Sequence, residues 1–176
     1  MRFEETSLPG AWLIVPEPVH DHRGFFARTF CVRELAEHGL ETQFVQHATS
    51  SSVKQGTLRG MHFQADPHGE VKIVTCGKGA ILDVIVDLRP GAVTFRRWQG
   101  FELTAQNRHR LYIPKGFAHG FQALTDDVEV GYLISAFYEP TAASGVRYDD
   151  TAFGIDWPLP VTVISDKDRG WADFAG

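Results

Sequence analysis

Only two of the 176 residues are cysteines, Cys31 and Cys76. That is too few for a disulfide framework or a cysteine zinc site, and it suits free thiols in a reducing cytoplasm. Positive charge is also scarce. Seventeen Lys and Arg face 22 Asp and Glu, a net charge of −5, so a nucleic-acid-binding stripe is not expected. No apolar run approaches the ~18 residues of a membrane span. The opening segment carries Glu4 and Glu5 where a secretory signal needs an apolar core. Glycines and prolines are scattered rather than gathered into a linker, and no repeat or low-complexity tract occurs. The chain therefore reads as one cytoplasmic domain over residues 1–176.

What is present is mostly strand signal. Ala11–Val15 ends at Pro16, near the N-terminus, and is expected as an edge strand able to pair with a neighbouring subunit. Lys72–Cys76 and Ala80–Leu88 flank Gly77-Lys78-Gly79 and read as a hairpin. Further strands are expected over Leu58–Gln64, Trp98–Leu103, Arg110–Ile113, Gly120–Ala123 and Glu129–Ser135. The polar run Ala48–Ser52 reads as a loop. One helix is expected over Val32–His38, closed by Gly39, and a second near Lys167–Phe174. Short strands with turns every ten residues or so favour an all-β jelly-roll barrel, with a few short helices, whose interior can hold a ligand.

Five segments carry residues with chemistry. In Leu58–Gln64, strand parity puts Gly60, His62 and Gln64 on one face and Arg59, Met61 and Phe63 on the other. His62 is then either a satisfied core histidine or a base in a pocket. Lys72 enters an apolar strand and either snorkels to the rim or meets an anion. His119 follows the Pro114–Gly116 turn and opens the next strand, in a structural or a functional role. Tyr132, mid-strand, is a core aromatic or a general acid. The charged run Asp166–Asp168 is a solvated face, or it supplies a carboxylate to a histidine. A metal site is not expected. His62 is followed two residues on by Gln64, so a His-x-His pair is missing, and the tight pair His20 and His22 looks like an exposed turn. There is neither a nucleophile elbow nor a phosphate-cradling glycine loop.

Taken together, the blocks Asp21–Phe26, Gly56–Gln64, the Lys72 strand, Asp83–Arg89, Ile113–Phe121, Tyr132 and Gly154–Pro158 resemble the dTDP-4-dehydrorhamnose 3,5-epimerase family along nearly the whole chain. The resemblance implies a cupin-type jelly roll acting on a nucleotide-linked 4-keto-6-deoxyhexose, without cofactor or metal. It implies a homodimer that exchanges N-terminal strands. It assigns His62 as base, Asp168 as its carboxylate partner, Tyr132 as acid and Lys72 as the cation beside the C4 oxygen. Arg23, Arg59, Gln46, His119 and Lys167 match positions that hold the diphosphate, nucleoside or sugar, and Tyr138 looks like an aromatic wall. Arg28, Ala48 and Ala143 depart from the family's residues in regions used for the nucleotide or sugar. Three other readings follow: a C3 mono-epimerase, a non-catalytic sugar-nucleotide-binding cupin, and a metal-dependent oxygenase, which the missing His-x-His disfavours.

Overall fold

A computed structural model describes residues 1–175. The elements in chain order begin with β1 (Arg2–Glu5), β2 (Trp12–Val15), β3 (Val19–Asp21), β4 (Gly24–Phe26), α1 (Val32–Glu37), β5 (Gln46–Ser52) and β6 (Leu58–Gln64). They continue with β7 (Lys72–Lys78), β8 (Ala80–Asp87), β9 (Trp98–Thr104), β10 (Arg110–Ile113), β11 (Phe117–Ala123), β12 (Val128–Ile134), β13 (Ala143–Gly145) and α2 (Asp166–Arg169). A six-stranded sheet runs β1-β2-β10-β7-β12-β5 and a five-stranded sheet runs β13-β6-β11-β8-β9. The pairings are antiparallel, and the expected jelly roll is what forms.

Alternation decides the interior. Along β12, Val128 and Val130 point inward with Tyr132; along β7, Cys76 and Val74 point inward with Lys72. With Ile85, Leu103, Leu111 and Phe121 they fill one end of the barrel with apolar side chains. The other end is left to the polar members of the same rows. Outside, α1 and the segment after it cover the six-stranded sheet through Leu35, Leu40 and Phe44. Val146, Phe153 and Trp157 cover the five-stranded sheet.

Several expectations are corrected. β7 and β8 are not a hairpin: β7 pairs with β10 and β12, and β8 with β11 and β9. Gly79, at φ +76°, turns the chain from one sheet into the other. β2 is not an edge, because β1 covers it. Ala48–Ser52 is not a loop but most of β5, paired to β12 throughout. Its small polar residues hide a strand with polar groups on both faces. His119 lies within β11 rather than opening it, since the ladder with β8 starts at Phe117. α1 ends at Glu37 with His38 as its C-cap, and Gly39 follows in the left-handed region, where the Leu40 N–H reaches the Leu35 carbonyl at 3.0 Å. The C-terminal helix is a single turn ending before Gly170, because Phe174 is held elsewhere by the Asp150 carboxylate and by Phe153.

Candidate active site

A cavity of about 710 Å³ opens between the two sheets at the polar end of the barrel. His62, Lys72, Tyr132, Asp168, Arg59, Gln46, His119, Tyr138 and Lys167 all line it. Arg23 does not. It stands on the exposed β3–β4 hairpin, paired with Asp21 at 2.6 Å.

The five-stranded sheet supplies the histidines. His62 and His119 are direct cross-strand partners on β6 and β11. Between them and the next pair, Arg59 with Phe121, β6 has two residues, Gly60 and Met61, where β11 has one, Gly120. This bulge overturns the simple parity of the strand. Arg59 falls on the cavity side with His62, while Met61 is fully buried in the outer core. The bulge depends on glycine: Gly60 has φ +129°, and a Cβ there would lie 2.5 Å from the Gly120 Cα.

His62 Nε2 is 2.6 Å from Asp168 Oδ1. A carboxylate can only accept, so the proton sits on Nε2 and Nδ1 keeps its lone pair. The imidazole side chain is 42 % exposed and opens onto the cavity. Asp168 is brought there by α2, whose Ser165 cap accepts the Asp168 N–H. Its other oxygen accepts the Gly60 N–H at 3.1 Å. Burial works against the Asp168 charge, but the His62 ring and the Gly60 N–H outweigh it and hold the carboxyl below its ordinary value. Asp166, an exposed neighbour, has no such partner among the described side chains.

The six-stranded sheet supplies Tyr132 and Lys72 on adjacent strands. Burial pushes the Tyr132 hydroxyl up to about 12, against a hydrogen bond from Ser50 at 3.0 Å. It is therefore a protonated donor at neutral pH. Lys72 pairs with Glu70 at 2.8 Å, both nearly buried, and Gln64 holds the other Glu70 oxygen. Arg59 clasps β5 through the Ser51 carbonyl and the Ser52 hydroxyl. Tyr138 donates its N–H to Gln46, and the Lys167 ammonium lies over Trp171. Ala48 and Ala143 face the cavity, whereas Arg28 is exposed and paired with Glu34.

Four groups escaped the sequence reading in these roles: Ser50, Glu70, Asp83 and the Gln64 amide as an anchor. Asp83 lies fully buried 2.8 Å from His119, its carboxyl raised by burial against the pull of His119 and Lys72. A carboxylate inside an apolar strand was the signal for it. Ser50 gave no signal, because its strand has no hydrophobic alternation. Among the described residues, no group of three or more His, Cys, Asp or Glu is placed to hold a metal.

The family model described as dTDP-4-dehydrorhamnose 3,5-epimerase matches residues 5–176. The chain belongs to that family. It is 47 % identical over 174 residues to the dTDP-4-dehydrorhamnose 3,5-epimerase of Methanothermobacter thermautotrophicus, covering 97 % of this chain and 92 % of that one. It superposes with a TM-score of 0.95 and 39 % identity on the Bacillus anthracis enzyme crystallised with TDP and PPi, covering 98 % and 99 % of the two chains. It is also 38 % identical to a dTDP-4-dehydrorhamnose 3-epimerase of Streptomyces niveus, covering 96 % of this chain and 82 % of that one.

Proposed function

We propose that this member of the epimerase family inverts C3 and C5 of a dTDP-linked 4-keto-6-deoxyhexose, in the biosynthesis of a dTDP-rhamnose-type sugar. One observation carries the reading: a carboxylate-supported histidine hangs from one sheet and a protonated tyrosine from the other, across one cavity. The protons at C3 and C5 are both α to the C4 ketone. Nδ1 of His62 removes one, and the electrons move to O4 as an enolate. The Lys72 ammonium meets that charge, held ready by Glu70. Tyr132 returns a proton to the opposite face, and the carbon is inverted. Asp168 fixes the tautomer and stabilises the imidazolium. No metal is needed where an ammonium serves the enolate oxygen.

Arg59 grips the diphosphate and so places the ring, with Gln46, His119, Tyr138 and Lys167 as further binding residues. Arg23 does not line the cavity of its own chain, so the proposal includes a homodimer in which each β3–β4 hairpin serves its neighbour. The exposed Val19 and Phe26 on that hairpin, 71 % and 74 % accessible, support this. The chain is taken as one cytoplasmic domain, 1–176. Its cavity draws on both sheets, its cysteines are unpaired, and no helix of the described residues is long and apolar enough to cross a membrane.

The deciding experiment supplies dTDP-4-keto-6-deoxyglucose in deuterated water and locates the deuterium. Inversion with label at both C3 and C5 is expected. Label and inversion at C3 alone would make the enzyme a mono-epimerase, and none at either carbon would leave a binding module.

A further inference from the structure

Two inversions in one visit of the substrate pose a proton-balance problem. Each inversion moves one proton from the sugar to His62 and one from Tyr132 to the sugar. After the first, the base is protonated and the acid is a phenolate. Before the second, His62 must lose a proton and Tyr132 must gain one. His62 opens directly onto the cavity. Tyr132 is partly buried, with its ring packed against the apolar core and its hydroxyl turned to Ser50.

We propose that Ser50 is the relay through which Tyr132 recovers its proton between the two inversions. The inference rests on the epimerase reading above. Ser50 Oγ lies 3.0 Å from Tyr132 Oη, and Tyr132 is its one side-chain partner among the described residues. Ser50 is half-buried, lines the cavity, and sits on β5, the outermost strand of its sheet. The hydroxyl thus sits between the phenol and the open cavity, where water can enter. A hydroxyl is donor and acceptor at once. The Ser50 proton passes to the phenolate oxygen as Ser50 Oγ takes one from water, while His62 Nδ1 releases its proton to the cavity. Charge and protons balance without a further reactant. The geometry is held by Arg59, whose bonds to Ser51 and Ser52 fix the strand on the far side of Ser50. Because the phenol resists ionisation, its net reprotonation at neutral pH is downhill once the proton released by His62 neutralises the hydroxide left in the cavity.

Ser50 acts through Tyr132 and does not touch the reacting carbons, so it is a positioning residue. The test is a rapid-quench single turnover, with enzyme in excess over dTDP-4-keto-6-deoxyglucose in deuterated water. Ser50→Ala is expected to make the first inversion within about threefold of the unaltered rate and the second at least about tenfold slower, in keeping with the worth of a placed proton donor. A singly inverted, singly labelled sugar then accumulates. Ser50→Thr keeps the hydroxyl and restores the second step. Equal slowing of both inversions would reduce Ser50 to a prop for Tyr132 and overturn the relay, as would unchanged formation of the doubly inverted product. Thermal melts of both variants guard against misfolding; if Ser50→Ala does not fold, Ser50→Thr decides, since doubly inverted product without accumulated intermediate is required of it. If the unaltered enzyme inverts a single carbon, the double-inversion reading fails by itself. The relay is then read in repeated turnovers, where Ser50→Ala must show a burst of one inversion per site and Ser50→Thr must not; absence of the burst overturns it.

Discussion

At the scale of the residue, the proposed acid and base are set apart by their surroundings. Tyr132 is kept protonated by burial, and His62 keeps one nitrogen free because Asp168 engages the other. Phenylalanine at 132 preserves the ring's packing and removes only the donor. Tyr132→Phe is therefore expected to exchange deuterium with retention while net epimerisation falls ~10²–10⁴-fold, read by NMR of the sugar protons. Normal inversion of both carbons would make Tyr132 a core aromatic. Asp168→Asn offers His62 Nε2 an amide in place of a full negative charge. Turnover should fall by ~10²–10⁴-fold with nucleotide affinity little changed, whereas Asp166→Asn should have no such effect. The reverse result, from steady-state kinetics and calorimetric titration, would move the role to Asp166.

At the scale of the element, the site depends on an irregularity in β6. The extra residue at Gly60–Met61 sends Met61 outward and keeps Arg59 and His62 on the cavity side. Gly60→Ala places a Cβ against Gly120 in a backbone region that alanine rarely adopts. A loss of about 2–4 kcal/mol is expected, which at about 2–4 °C per kcal/mol lowers the melting temperature by roughly 4–16 °C. An unchanged calorimetric melt would show that the strand can rearrange cheaply. The bulge also marks where sequence reading stops. Strands with apolar alternation, such as Arg110–Ile113 and the β12 run, were legible almost to the residue, because alternation reports which face is buried. His62, Lys72, Tyr132 and Asp168, expected from the family resemblance, are brought to one cavity, whereas nothing local in the sequence says that they meet. Strand parity alone put Arg59 on the wrong face, since the bulge depends on the Gly60–Gly120 approach between distant strands. Likewise Gly77–Gly79 looks the same locally in a hairpin and in a corner between sheets. β5 was illegible because both of its faces are polar.

At the scale of the whole molecule, buried acids tie stability to pH. Asp87, Asp150 and Asp168 are held below their ordinary values, in each case by hydrogen bonds that outweigh burial. Their contribution is present above the ordinary carboxylate pKa of about 4 and is lost as pH falls through the lower folded values. Asp83, raised by burial, has the opposite sign: its contribution is present below the ordinary value and is lost as pH rises through the raised one. Three against one, the melting temperature should drop as pH falls below the ordinary carboxylate value of about 4, and Asp87→Asn should flatten that limb. A flat profile for the unaltered protein would contradict it. Association is tested by light scattering. A particle of about twice 19.6 kDa is expected, with Phe26→Asp shifting it toward monomer and lowering activity together. A stable, active monomer at micromolar concentration would sink the shared-hairpin proposal.

His62 and Tyr132, the proposed base and acid, hang from different sheets, so the apolar end of the barrel acts as a caliper for the polar end. Side chains such as Val74, Ile85, Leu103 and Leu111 set the opening of its jaws. Protein interiors barely compress, so that opening does not adapt to whichever ring enters. A sugar that is too thick, or too thin to be gripped from both faces, is turned away by the girth of the barrel before any polar group discriminates. Acceptance of new sugars is therefore inherited in part from residues that never meet one.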